Sequence, residues 1–401
     1  MGVFMLRKSF TRAKTVIAVS MALALLLVAC SNGNDETTSA PETANTEPDE
    51  ALEPVIIRWA ADHPGAPHPN GQAAEWFKEA LEERIPGSEV RLYFAGALYS
   101  STPEMLEAAA IGNLELLMGQ YGKDSAFEPT AGIVNQPAAL TSVGAIANVY
   151  DTEHMALLRE RMAALGITTI ANSSLSFYIG FAGKGPHPAT PNDLRGLNVR
   201  TFDTVTQPTV LGAWGANAIA MPFSEVASAL ETGVIDGVLT TSTALRVLPA
   251  APFYTAFGVG ALGQDLYAYH ASSLWLESLN EATRTVVVDT LREAAQLSLQ
   301  FNWCNDQGVV EEFLTDDPNE PGFYLHPPES AQLFIGNDVL GEVVRIAVEN
   351  SVAEEARPLV ASWFAEAQAL SAAHPPGSSE IEQADCGPVN ELRDRLTEQA
   401  G

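Results

Sequence analysis

Glu104 to Met118 reads EMLEAAAIGNLELLM, and Glu225 to Leu239 reads EVASALETGVIDGVL. In both, a glutamate is followed eight residues later by a glycine (Gly112, Gly233). Three residues after that glycine comes an acid (Glu115, Asp236), at the head of an apolar run. Glycine suits the left-handed position that closes a helix. Each stretch therefore predicts a helix, a stop and a strand. The same unit standing once in each half of the chain predicts two similarly built lobes.

The flanking sequence follows the same rhythm. Val55 to Ala60 is a compact apolar run and predicts a first strand, followed by helical spacing in Ala73, Trp76, Phe77, Ala80 and Leu81. A second strand is expected over Glu89 to Phe94. Ser101-Thr102-Pro103-Glu104 then begins a helix, because a hydroxyl caps free amides and proline is tolerated in the first turn. Strand, helix, strand, helix is the order of an α/β sheet. From about Ser278 to Phe313 the pattern becomes one long helix, with Asn280 or Ser278 as its cap. At about 1.5 Å per residue it would measure roughly 50 Å and run along both lobes. The proline-rich segment Asp316 to Pro328 breaks it, and later helices are expected near Gly341–Glu355 and Pro358–Ala373. These signals place lobe I at about 55–175 plus 255–315, lobe II at about 176–254, and C-terminal helices at 330–401.

The N-terminus reads as an export signal. Arg7, Lys8, Arg12 and Lys14 are the charges before residue 30, and an apolar run from Val16 to Ala29 follows. That run is too short to span a bilayer comfortably. Leu27-Val28-Ala29-Cys30 resembles a bacterial lipobox, so a signal peptide over 1–29 and a lipid on Cys30 are expected. Residues 31 to 54 are mostly Ser, Thr, Asn, Asp, Glu and Pro, with too little to bury to offset their ordering entropy. The expectation is a lipidated tether over 30–54, holding the structured region 55–401 at a membrane surface in the periplasm or outside the cell. Lipid on Cys30 leaves Cys304 and Cys386 as an even pair in an oxidising compartment, a candidate disulfide.

Removing the four signal cations leaves 17 Lys and Arg against 50 Asp and Glu, a mature charge near −33. That argues against nucleic acid as a partner, since phosphates need the opposite sign. Catalytic signatures are scarce: the chain has no nucleophile elbow, HExxH, P-loop or CxxC. Gly258-Val-Gly260-Ala-Leu-Gly263 matches GxGxxG, but an apolar strand-like stretch, Leu266 to Tyr269, follows where a phosphate-binding helix would be needed. It reads as a turn beside a strand. His63 and His68 flank prolines in a loop without helical spacing or nearby thiolates. They read as a structured cleft edge, and His63 counts as a candidate ligand contact.

Arg200 stands in the apparent strand Leu197-Asn198-Val199-Arg200, after the turn Pro191 to Gly196. A guanidinium there can grip a carboxylate with two parallel hydrogen bonds, or it can pair internally with Asp203 or Asp236. The stretch Pro191 to Arg200, with Gly215-Ala216, Met221-Pro-Phe-Ser-Glu225 and Ala229 to Gly237, resembles the solute-binding proteins of TRAP transporters, the DctP-type family. Ala95-Gly-Ala-Leu98 with Glu104 to Ala108 is similar to their N-terminal lobe motif.

The resemblance implies a two-lobed, periplasmic-binding-protein-like α/β fold with a long helix spanning both lobes. It implies a small organic acid as ligand, TRAP membrane permease subunits as partners, and no catalysis. By position, Arg200 matches the arginine that clamps the ligand carboxylate, Phe223 an aromatic that packs on the ligand, and Gln120 a polar wall residue. Thr240 stands where many members carry asparagine. Tyr121, Trp214 and Trp59 are candidate apolar walls. Relatives that bind dicarboxylates often carry a second arginine about twenty residues before the clamp. Ala182 stands there, so the expected ligand is a monocarboxylate such as a keto or hydroxy acid, unless Lys184 reaches in. No cofactor is expected, and a cation in the cleft is left open. An ABC-importer binding protein or a two-lobed enzyme are the alternatives.

Overall fold

The computed structural model describes residues 51–202, 205–335 and 339–400. The expected signal peptide, Cys30, most of the tether and Asp203 lie outside them. Eleven strands form two sheets among the described residues. They are β1 (Ile56–Ala61), β2 (Glu89–Tyr93), β3 (Leu116–Gln120), β4 (Ile167–Ser174), β5 (Ile179–Gly183), β6 (Asn198–Thr201), β7 (Asn217–Ala220), β8 (Gly237–Thr241), β9 (Phe253–Ala256), β10 (Leu266–Ser272) and β11 (Gly322–Leu325).

The first sheet has the order β2-β1-β3-β10-β4, and the second β11-β9-β5-β8-β6-β7. In the first, β1 pairs in parallel with β2 and β3, while β10 runs antiparallel to β3 and β4. In the second, β6 pairs in parallel with β7 and β8, and β5 runs antiparallel to β8 and β9. The two sheets thus share one plan: three parallel strands with the earliest in the middle, then an antiparallel neighbour. The fold is two-lobed α/β. The repeated unit sits at equivalent places, the helix Thr102–Ala110 leading to β3 and the helix Phe223–Thr232 leading to β8. Gly112 and Gly233 follow these helices with φ of 80° and 76°, angles that a side chain would strain.

Side chains alternate across the central strands as a two-sided sheet requires. Ile57, Trp59, Leu116 and Met118 pack with Phe77, Leu81 and Leu291 on one face. Ala60 and Leu117 join Leu106, Val134 and Ile146 on the other. The chain passes from the first sheet to the second through residues 175–178 and returns through 257–265. The long helix Glu281–Phe313 is capped by Asn280, whose side chain accepts from Thr283 N at 2.8 Å, and the short helix Ser273–Ser278 precedes it. It packs on β4 of one sheet and on β11 of the other.

The segment 316–328 differs from the sequence reading, which gave it only as a break. It contains β11, which pairs in parallel with β9 at the edge of the second sheet, so that sheet extends beyond residue 254. Short edge strands with prolines on both sides carry little periodicity, which hid this one. The C-terminal region forms the helices Pro328–Ile335, Val339–Ser351 and Arg357–Ala373, and a further helix, Cys386–Ala400, that the apolar pattern did not reveal. Leu396 is the buried residue of that last helix, packing with Ala73 and Phe301. Gln72 donates to Arg393 O (2.9 Å) and Thr397 Oγ1 (2.8 Å), binding it by polar contacts.

Cys386, at the start of this helix, is disulfide-bonded to Cys304 of the long helix. With so little apolar burial on the last helix, the bond carries much of its attachment. Reducing it is expected to lower stability by about 2–4 kcal/mol. Urea unfolding of the mature chain with and without reductant checks this, and superimposable curves would contradict it.

Candidate functional site

Both parallel triplets have their middle strand earlier in the chain than its neighbours, so connections leave it in opposite directions. Crevices outside the carboxyl ends of the strands at such switch points are where α/β sheets bind ligands. The residues there are Asp62 and His63 after β1, Gln120 at the end of β3, Arg200 near the end of β6 and Thr240 near the end of β8. Because β10 is antiparallel to β3, its beginning lies at the same edge, with Tyr267 in register with Gln120.

Arg200 is 5% exposed. Its Nε donates to Met221 O at 3.0 Å, and its guanidinium carbon lies 5.7 Å from the centre of the Phe223 ring. Among the described residues no carboxylate forms an ion pair with it. Asp236, one internal candidate, accepts from Asn198 N at 2.8 Å. Asp203, the other, lies outside the described residues. Burial pushes the Arg200 guanidinium down to about 10, so it remains a cation at neutral pH. A buried cation without a counter-charge is costly, and an incoming carboxylate would offset that cost.

Phe223 begins the helix Phe223–Thr232 and is 45% exposed. Met221-Pro222-Phe223 therefore supplies both a carbonyl and a ring to one guanidinium. Cation–π contact of this kind holds the fork in one plane.

Gln120 and Asp265 face the same strand edge. The Gln120 amide donates to the Asp265 carboxylate, and both are almost fully buried. Burial pushes the Asp265 carboxyl up to about 6 despite the Gln120 amide, with Lys123 and Arg200 also favouring its charge. Nearby, Lys123 pairs with Asp62, which also accepts from Thr102 Oγ1 at 3.2 Å. Burial alone would raise the Asp62 carboxyl, but Lys123 outweighs it and holds the group below its ordinary value.

His63 stacks on His68 at 4.9 Å and lies 6.0 Å from Tyr267. Burial holds both imidazoles below their ordinary value, and both are neutral at neutral pH. Among the described residues, no group of three or more His, Cys, Asp or Glu side chains is arranged to hold a metal ion.

Other sequence candidates fall elsewhere. Trp214 is a core residue: its indole donates to Phe334 O at 3.0 Å and its rings pack on Phe257 and Phe334. The apolar C-terminal helix segment that buries it is too distant in sequence to have been read as its partner. Trp59 is fully buried between Phe77 and Tyr269. Tyr121 is buried, and its hydroxyl donates to Asn172 Oδ1 at 2.6 Å, so it supports the first sheet's edge. Thr240, by contrast, stays at the carboxyl edge of β8, buried, with its carbonyl accepting from the Tyr254 hydroxyl at 3.1 Å.

Ala182 corrects a step in the ligand argument. It is completely buried and packs with Val226, Val238 and Tyr254, so an arginine at that register would enter the core. Its identity therefore carries no information about a second carboxylate. Lys184 does not reach in: its ammonium donates to Leu230 O and Glu231 O, covering carbonyls near the end of the helix Phe223–Thr232. The GxGxxG turn is a turn before β10, as its sequence context indicated. A side chain at Gly260 would strike Leu140 O, which explains that glycine without a phosphate.

Asp265 was missed from the sequence. An available signal was an acid at the head of an apolar strand, the same pattern that marks Glu115 and Asp236.

Residues 60–321 match the profile of a family described as bacterial extracellular solute-binding protein, family 7 (DctP). The C4-dicarboxylate-binding periplasmic protein DctP of Rhodobacter capsulatus is 32% identical over 192 residues, covering 46% of this chain and 55% of that protein. The chain spans about half the length of the first curated relatives it matches, 52% and 55%. A TRAP periplasmic solute-binding protein from Shewanella oneidensis with bound succinate has a TM-score of 0.66 at 21% identity, covering 78% of this chain and 100% of that one. The periplasmic ectoine-binding protein from the TeaABC TRAP-transporter of Halomonas elongata has a TM-score of 0.68 at 19% identity, covering 78% and 99%. At these identities the likeness is one of fold.

Proposed function

The chain belongs to the DctP family of bacterial extracellular solute-binding proteins, and from that premise we propose that it captures a small organic acid with a single carboxylate for a TRAP permease. The observation that carries this reading is Arg200: a buried cation at the carboxyl edge of β6, over the ring of Phe223, with no carboxylate paired to it among the described residues. The first sheet contributes Gln120, Asp265 and the His63 loop, and the second contributes Arg200, Phe223 and Thr240. Each sheet with its helices thus offers half a site, and the ligand favours the closed arrangement by its differential affinity for it. Closure excludes water, which strengthens the charge contact on Arg200.

The preference for one carboxylate rests on charge. Lys123 is engaged by Asp62 and Lys184 by helix carbonyls, which among the described residues of these strand ends leaves Arg200 as the cation for the ligand. The captured acid passes to the membrane permease in the periplasm, with lipid on Cys30 mooring the receptor near it. A thermal-shift screen of small organic acids tests the reading, because a ligand that binds only the folded state raises its melting temperature. Monocarboxylates are expected to raise it and neutral sugars to leave it unmoved. A screen in which no acid acts, or neutral sugars act alone, overturns the proposal.

A further inference from the structure

Asp265 is the least accounted-for charge in the site. It is 2% exposed, at the head of β10, and takes one side-chain hydrogen bond among the described residues, from Gln120. A carboxylate so deeply buried normally needs several donors or a paired cation. Its nearest polar neighbour has the same lack: the amide oxygen of Gln120 is buried with no partner, and so is one oxygen of Asp62. At this edge of the first sheet Gln120 and Asp62 thus each carry a buried oxygen that no described donor meets, beside an Asp265 carboxylate served by one side chain. Asp265 and Arg200 influence one another's charge, yet no direct ion pair joins them.

The charges then select the ligand. Among the described residues at this edge, Lys123 is paired with Asp62, which leaves one cation, Arg200, and one acid, Asp265, each without an ion-pair partner, beside two imidazoles that burial keeps neutral. A ligand without net charge leaves the closed site balanced, whereas a simple monoanion buries one excess negative charge and a dicarboxylate two. Hydroxyl groups would satisfy the acceptors but would not balance Asp265. Building on the Arg200 reading above, we infer that Asp265, with the free amide oxygen of Gln120 beside it, receives a protonated nitrogen, and that the solute is a small zwitterion with its carboxylate on Arg200.

The test uses the disulfide-bonded mature chain, with thermal shift and calorimetry. Ectoine, γ-aminobutyrate and the common L-amino acids serve as zwitterions, γ-hydroxybutyrate and galactonate as hydroxy acids, and succinate as the dianion. A zwitterion is expected to give the largest shift, and the near-isosteric Asp265→Asn variant to bind it about tenfold or more weakly. In that variant a hydroxy acid should gain relative to the zwitterion. If hydroxy acids bind and no zwitterion does, the inference fails while the Arg200 reading stands; succinate binding alone would end the single-carboxylate proposal as well. Zwitterion binding unchanged in Asp265→Asn also overturns it. The native panel is decisive even if that variant does not fold. Binding that survives Arg200→Ala would instead remove the carboxylate clamp on which the inference rests.

Discussion

Replacing Arg200 with alanine is expected to weaken ligand binding about tenfold to a hundredfold or more, while the fold persists. A charge-assisted hydrogen bond contributes roughly 1.5–3 kcal/mol net, and a guanidinium fork makes two of them to one carboxylate. Every tenfold in affinity is about 1.4 kcal/mol, so loss of both bonds reaches or passes the upper end of that range. The unliganded protein should behave in the opposite sense. Its Arg200 is 5% exposed and held down to about 10 by burial. Removing that charge relieves a desolvation cost, so the melting temperature without ligand should not fall. Calorimetry on native and Arg200→Ala proteins reads the first effect, and a thermal scan of each reads the second. A variant that melts much earlier yet binds normally would make Arg200 a structural ion-pair residue.

The second large effect is expected at Asp306. This carboxylate lies in the C-terminal third of the long helix and is completely buried. It accepts from Ser176 Oγ at 2.9 and 3.0 Å, from Phe177 N at 2.7 Å and from Ser242 Oγ. Ser176 and Phe177 belong to the crossover between the sheets, and Ser242 follows β8. One side chain therefore ties the long helix to a crossover and to the second sheet. Asp306→Ala would strand the buried Phe177 amide and Ser242 hydroxyl, a loss of about 1–3 kcal/mol for each, while Ser176 Oγ keeps Tyr178 O at 3.0 Å. Urea unfolding checks it, and a change below about 1 kcal/mol would show that the donors find other partners.

The pH dependence of the same group follows from its shift. Burial raises the Asp306 carboxyl from 3.8 to about 6, against the bonds from Ser242, Phe177 and Ser176. Between those values the folded chain holds a proton that the unfolded chain has released. Its contribution to stability is therefore complete below the lower value and is lost as pH rises through about 6. The difference in stability between native protein and Asp306→Asn should carry this slope; a pH-independent difference would contradict the shift.

The repeated helix-stop-strand unit was legible because it rests on local chemistry: a capping glycine, an acid and an apolar run. It led to two lobes, and the two sheets have matching strand plans. The long helix was legible for a related reason, its apolar spacing and its asparagine cap. Its polar middle was not. Ser298, Asn302, Asn305 and Asp306 are buried on that helix, and Ser298 and Asn302 both donate to Asn70 Oδ1 at 2.6 Å. Buried polar residues on a helix look like a solvated face until the distant partner is known. Trp214 failed in the opposite direction, since an aromatic residue near a binding motif resembles a wall until Phe334 is seen to cover it. Arg200 stood out because a lone cation in an apolar strand is rare in so acidic a chain. Asp265 did not, because one more acid among 50 Asp and Glu attracts no notice.

The most direct test of the central claim is a crystal structure of the mature chain with the strongest ligand from the thermal-shift panel. The account predicts one ligand carboxylate paired with the two terminal nitrogens of Arg200, beside the Phe223 ring and between the two sheets. A ligand carboxylate held elsewhere, with Arg200 paired to Asp203, would contradict it.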